Sequence, residues 1–97
     1  MEWHLTKTSS AEELARLNFF SMKKTQPEGT VTFQITVREY AVPPAGQRVH
    51  FFAEADKQVN QNSAPLLPSG WGDSLWEALE GCLRLIRQFP YEGQDWN

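Results

Sequence analysis

The segment Thr30 to Tyr40 reads TVTFQITVREY and alternates without a break from Thr30 to Arg38. Val31, Phe33, Ile35 and Val37 are apolar, and Thr30, Thr32, Gln34, Thr36 and Arg38 are polar. Successive strand side chains point to opposite faces, so this pattern buries one face and leaves the other in water. On a helix the same apolar residues would be scattered around the circumference. The chain is therefore expected to build an antiparallel sheet with one covered face.

Pro43-Pro44-Ala45-Gly46 predicts a turn, and a second strand follows from Gln47 to about Lys57. Val49, Phe51, Ala53 and Ala55 take one face of it; Arg48, His50, Phe52, Glu54 and Asp56 take the other. Two strands this close in sequence predict a hairpin. Gln58 to Gly72 is polar and irregular, and Ala64-Pro65-Leu66-Leu67 within it predicts a short edge strand, where proline is tolerated.

Two helices are expected to cover this sheet. Ser9 is followed three residues later by Glu12, and Ser10 by Glu13. In such capping boxes hydroxyl and carboxylate satisfy each other's backbone donors. With Ala11, Leu14, Ala15, Leu17 and Phe19 or Phe20 as a stripe, this predicts a first helix over about residues 10–22. Ser74 and Glu77 repeat the box before Leu75, Ala78, Leu79, Cys82, Leu83 and Ile86, which recur at helical spacing. The last helix is predicted from Ser74 to about Phe89, stopped by Pro90. In the stretch Leu67 to Leu79, LPSGWGDSLWEAL, the glycines around Trp71 predict a tight turn, with Trp71 as the apolar partner of a hydrophobic staple. Residues 1–9 read as an arm or short strand, and 91–97 as a partly ordered tail.

A chain of 97 residues predicts one domain with a modest core. Four tryptophans and six phenylalanines supply enough apolar area to offset the entropy of ordering, which argues against disorder. The net charge of -3 disfavours non-specific binding to nucleic acid or membrane, since both need a basic surface. No stretch approaches the roughly 18 apolar residues of a membrane span, and MEWHLTKTSS lacks the basic and apolar regions of a secretory signal. One cysteine excludes an intrachain disulfide and fits a reducing cytoplasm.

The residues offer little catalytic chemistry. Cys82 falls in the helical core stripe, where a cysteine behaves as a small hydrophobe rather than a nucleophile. His4 and His50 lie far apart and give no zinc spacing with it. Glu54 and Asp56 share a solvated strand face and read as solvation. Gly70-Trp71-Gly72 lacks the Lys and Ser/Thr of a phosphate-binding loop. No cofactor and no metal are expected, and the protein reads as a non-enzyme.

The solvated hairpin face is the expected contact surface. Arg38 and Tyr40 on one strand come near Arg48, His50 and Phe52 on the other, and Trp71 is a further candidate. Such a face can stack bases and hold phosphates. Glu39, Glu54 and Asp56 dilute its positive charge, so an unidentified protein partner or a second copy of the chain is favoured over nucleic acid.

The predicted order of elements resembles the α-β-β-β-α layout of double-stranded-RNA-binding-like domains over roughly residues 10–89. That family's lysine-rich start to the last helix is replaced here by Gly72-Asp73-Ser74-Leu75-Trp76-Glu77. The stretch Gly72 to Leu79, GDSLWEAL, is similar to the helix start of HicB-like antitoxin domains, which implies an antitoxin-type regulator. The chain also resembles small one-domain bacterial proteins in general. The expectation is an α+β two-layer domain: a three-stranded antiparallel sheet packed on two helices, acting in a bacterial cytoplasm as a binding or regulatory module.

Overall fold

The computed structural model describes residues 2–97. The alternating segment forms β2 (Gly29–Tyr40), and its apolar face is sealed: Val31, Phe33 and Val37 are 0% exposed. The fold is α+β, as expected, but among the described residues it has four strands and one α-helix in place of three strands and two helices. All four strands are antiparallel and follow chain order across the sheet.

The segment predicted as the first helix is a strand, β1 (Ala15–Gln26). It pairs with β2 residue for residue, from Ala15 opposite Tyr40 to Gln26 opposite Gly29. At Ser9 only half of the expected capping box forms, within a single turn, and the Ser9 Oγ accepts from the Ala11 N–H at 3.3 Å instead of from Glu12. The Ser9 N–H donates to Glu12 Oε1 at 2.8 Å, and the Glu12 N–H donates to Ser9 O at 3.1 Å. A short helix is marginal in water on its own. The same residues in a hairpin complete a full ladder and place Phe20 and Met22 against the core. Pro27 and Glu28 connect the strands, and Gly29 follows at φ +149°, a conformation rare for residues with a side chain.

β3 (Phe51–Ala55) is shorter than the predicted strand, because the chain from Ala41 to His50 runs as a loop through Pro43, Pro44 and Gly46. Ala53 and Ala55 face the core as expected. The predicted edge strand at Ala64–Leu67 shrinks to a single bridge between Val59 and Leu66. The fourth strand comes later, as β4 (Ser69–Gly72), where a tight turn was expected. Its glycines serve close packing instead. A Cβ on Gly70 would lie 2.5 Å from the Ala78 carbonyl oxygen, and one on Gly72 would lie 2.7 Å from the Ala78 nitrogen.

Those atoms belong to α1 (Leu75–Gln88), which packs chiefly on β4 and β3. Ser74 caps it as predicted: its Oγ accepts from the Glu77 N–H at 3.1 Å. The Glu77 carboxylate reaches back to the Asp73 N–H at 3.0 Å, one residue earlier than in the standard box. Ala78, Leu79, Cys82 and Ile86 are the buried stripe. At the far end Phe89 turns extended before Pro90. Lys24 of β1 then caps the helix, donating to Ile86 O at 2.6 Å and Phe89 O at 2.8 Å. Desolvation lowers the pKa of this ammonium.

The last residues, expected to be only partly ordered, dock on the sheet. Tyr91 is 3% exposed and packs edge-on against Phe33 (5.9 Å) and Trp96 (4.9 Å). The Gln26 side chain holds the Tyr91 backbone from both sides, accepting from its N–H at 2.8 Å and donating to its carbonyl at 3.1 Å. The Asn97 N–H donates to Thr30 O at 2.7 Å, beside the stretch of β2 that β3 is too short to reach. At the other end Trp3–Leu5 makes one 3-10 turn, and the Arg16 guanidinium sits 5.4 Å over the Trp3 ring. Among the described residues no helix is long and apolar enough to cross a membrane.

Candidate contact surface

Because α1 occupies one side of the sheet, the other side is left open. The strand register aligns Leu17, Arg38, Phe52 and Trp71 in one row across all four strands. The next row is Phe19, Thr36, Glu54 and Ser69. Cross-strand neighbours on one face lie close enough to interact directly. The Phe52 and Trp71 rings are 4.4 Å apart, and Trp71 stacks on Tyr40 at 6.3 Å with planes 22° apart. Arg38 reaches Glu54 at 3.8 Å. Phe19 is 70% exposed, Leu17 49% and Trp71 39%, so the apolar part of this face meets water.

Four of the six predicted contact residues are thus brought together: Arg38, Tyr40, Phe52 and Trp71. Trp71 is not a helix staple. Alternation along β4 turns Gly70 and Gly72 toward α1 and Trp71 away from it. Tyr40 is nearly buried beneath Trp71, and its pKa is raised, first by desolvation and then by the carboxylate of Glu13. Arg48 lies outside the strands, exposed in the loop from Ala41 to His50. His50 is held at the sheet end, its Nδ1 2.8 Å from Tyr40 O. A carbonyl only accepts, so Nδ1 is the protonated nitrogen. Of the acids expected to dilute this face, Glu39 instead binds Arg16 at 2.7 Å, pointing to the helix side.

Leu17 and Phe19 were missed because their segment read as a helix. The segment gave no clean period-two signal, because the apolar phase shifts between Leu17–Phe19 and Phe20–Met22.

Elsewhere the reactive groups are engaged or dispersed. Cys82 is fully buried and donates to Pro68 O at 3.4 Å. Burial pushes its thiol up to about 11 from 9.0, so it stays protonated at neutral pH. The unfolded thiol ionises first as pH rises, so the stability held below about pH 9 is lost toward pH 11. The loss is on the order of 2 kcal/mol. Denaturant melts across this range should show that slope in the wild type, and a flatter one in Cys82→Ser, which keeps a donor to Pro68 O but does not titrate. Equal slopes would show that the thiol is solvated.

A cleft of about 570 Å³ opens between the end of α1, the β1–β2 turn and the docked tail, lined by Lys24, Gln26, Arg87, Phe89, Tyr91 and Trp96. Lys24 and Gln26 are already committed there to backbone groups. Among the described residues no three His, Cys, Asp or Glu side chains converge.

The chain matches no family model, no curated protein and no solved structure. The open sheet face therefore carries the functional argument on its own geometry.

Proposed function

We propose that this protein is a non-enzymatic contact module that binds another protein through the open face of its sheet. The observation that carries this reading is the row Leu17, Arg38, Phe52 and Trp71, with Phe19 beside it. Aromatic residues and arginine are enriched at the centres of protein interfaces. Exposed apolar side chains gathered on one face, here Leu17 and Phe19 on one side of Arg38 and Phe52 and Trp71 on the other, mark a surface that another molecule covers. Arg38 is paired with Glu54 across the face, which leaves little free positive charge for a phosphate backbone. That balance favours a protein over nucleic acid. The HicB-like regulator reading rests on Gly72 to Leu79, residues whose work in this fold is to end β4 and cap α1. A reducing bacterial cytoplasm is the proposed setting, compatible with the free, buried Cys82.

Truncating Trp71 to alanine removes a ring that touches two others on the open face and has no role against α1. Affinity capture with the wild type and with Trp71→Ala or Phe52→Ala tests the reading. A partner held by the wild type should bind each variant at least tenfold more weakly, about 1.4 kcal/mol or more, while the circular dichroism spectrum is unchanged. A partner held equally by all three would place the contact elsewhere. Titration with short single-stranded and duplex nucleic acids at about 50 and 200 mM salt tests the competing class. Salt-sensitive shifts at Arg38, Phe52 and Trp71 would replace the protein reading with a nucleic-acid one.

A further inference from the structure

β1 is an edge strand of twelve residues, and its outer side is unpaired. Which backbone groups point outward follows from the ladder. Tyr40 N–H donates to His50 O and Asp56 N–H to Gln34 O, so even-numbered residues of β2 bond toward β3. Odd-numbered residues of β2 then bond toward β1, and the register pairs them with even-numbered residues of β1. Ala15, Leu17, Phe19, Ser21, Lys23 and Thr25 are left with outward N–H and carbonyl groups. No hydrogen bond among the described residues reaches them. The strand contains no proline and pairs with β2 without a bulge. Natural proteins usually interrupt so long an edge, because it templates pairing with another chain.

We propose that two copies of this chain pair through β1, antiparallel about a two-fold axis at Asn18, to form one eight-stranded sheet. The choice of a second copy comes from self-complementarity. An isologous contact sets each residue of the strand against a fixed partner on the same strand of the other copy. Centred on Asn18, the register sets Leu17 against the partner's Phe19, Ala15 against the partner's Ser21, and Glu13 against the partner's Lys23. Each occurs twice. Leu17 and Phe19 are the two exposed apolar side chains of this strand. Glu13 lies just before β1 on the open face, near enough to Tyr40 to act on its hydroxyl. The neighbouring symmetric registers lose this match. An axis at Phe19 sets Ala15 against the partner's Lys23, and an axis at Leu17 sets Glu13 against the partner's Ser21. An axis perpendicular to the sheet keeps both helices on one side and joins the two open faces on the other. The four Leu17 and Phe19 side chains then meet at the centre of that joined face. On the helix side, Met22 comes opposite the partner's Leu14, where α1 of its own chain gives little cover.

This contact uses an edge, whereas the proposed protein-binding surface is a face, so the two are tested separately. Sedimentation equilibrium of the full chain should show a dimer. Ser21→Pro removes one outward N–H and leaves the β1–β2 ladder untouched, so the variant should keep its fold and sediment as a monomer. Glu13→Lys and Lys23→Glu should each weaken the dimer about tenfold, and the double variant should recover to within about threefold. Trp71→Ala should leave the dimer intact. Should Ser21→Pro fail to fold, amide exchange of the wild type decides. The outward amides of Ala15, Leu17, Phe19, Ser21 and Lys23 should slow as concentration rises. A wild type that stays monomeric at about 1 mM overturns the proposal. So does a dimer with unprotected outward amides, additive charge reversals, or growth beyond two copies through pairing of β1 with β4.

Discussion

Gly70→Ala is expected to lower the thermal midpoint by roughly 12 °C or more, a large effect for a single methyl group. The cost has nothing to do with backbone conformation, since Gly70 does not have a positive φ. A Cβ there would lie 2.5 Å from Ala78 O, 2.9 Å from Cys82 N and 3.0 Å from Gly81 Cα. All three are backbone atoms of α1, so no side chain can rotate aside. The helix itself has to lift from β4, and Ala78, Cys82 and Ile86 lose part of their burial against the sheet. Overpacking of this kind costs about 3 kcal/mol, and a domain of this size loses about 4 to 8 °C per kcal/mol. Gly46→Ala is the control: its Cβ meets nothing within 4 Å, although φ is +85°. That variant should lose only about 1 kcal/mol through backbone strain. Thermal unfolding followed by circular dichroism at 222 nm reads both. A Gly70→Ala midpoint within about 2 °C of the wild type would show that α1 does not rest on β4 at this point.

Tyr91→Ala is expected to cost about 3 to 4 kcal/mol, a large effect for a residue beyond the last helix. Tyr91 is 3% exposed and closes the core at the end of the sheet that β3 does not reach. Its ring packs edge-on against Phe33 and Trp96, so truncation leaves a cavity next to a phenylalanine that is itself fully buried. Its hydroxyl accepts from the Asp95 N–H at 2.8 Å, which ties the chain end back on itself. Tyr91→Phe removes only that bond and should cost about 1 kcal/mol. The two variants separate packing from hydrogen bonding in one denaturant series. Equal and small losses for both would mean that the tail contributes little to the core.

The features legible in the sequence are those whose signal is complete within one segment. β2 carries its whole pattern in Val31, Phe33, Ile35 and Val37, because period-two alternation needs no knowledge of the partner strand. The final helix is equally self-contained, since Ser74, Glu77 and the stripe from Leu75 to Ile86 agree on start, phase and length. Of the open face, Arg38, Tyr40 and Phe52 were readable from the phase of their own strands.

What failed was decided between segments. Ser9 and Glu12 carry a capping signal, and its carboxylate half forms, yet one turn later the chain is a strand, because pairing with β2 outweighs a short helix. That one substitution of strand for helix hid Leu17 and Phe19, and with them both the most exposed apolar part of the open face and the unpaired edge.

The sequence by itself determined an antiparallel sheet with one buried face, the position and caps of the helix, and the core role of Cys82. Only the tertiary structure decided that β1 is a strand, that glycines 70 and 72 lie under a helix, that Trp71 faces the opposite side, and that Tyr91 seals the core. The reason is physical. Periodicity and capping are properties of neighbouring residues, whereas hairpin pairing, backbone approach and the docking of a chain end depend on surfaces supplied by residues far away in sequence.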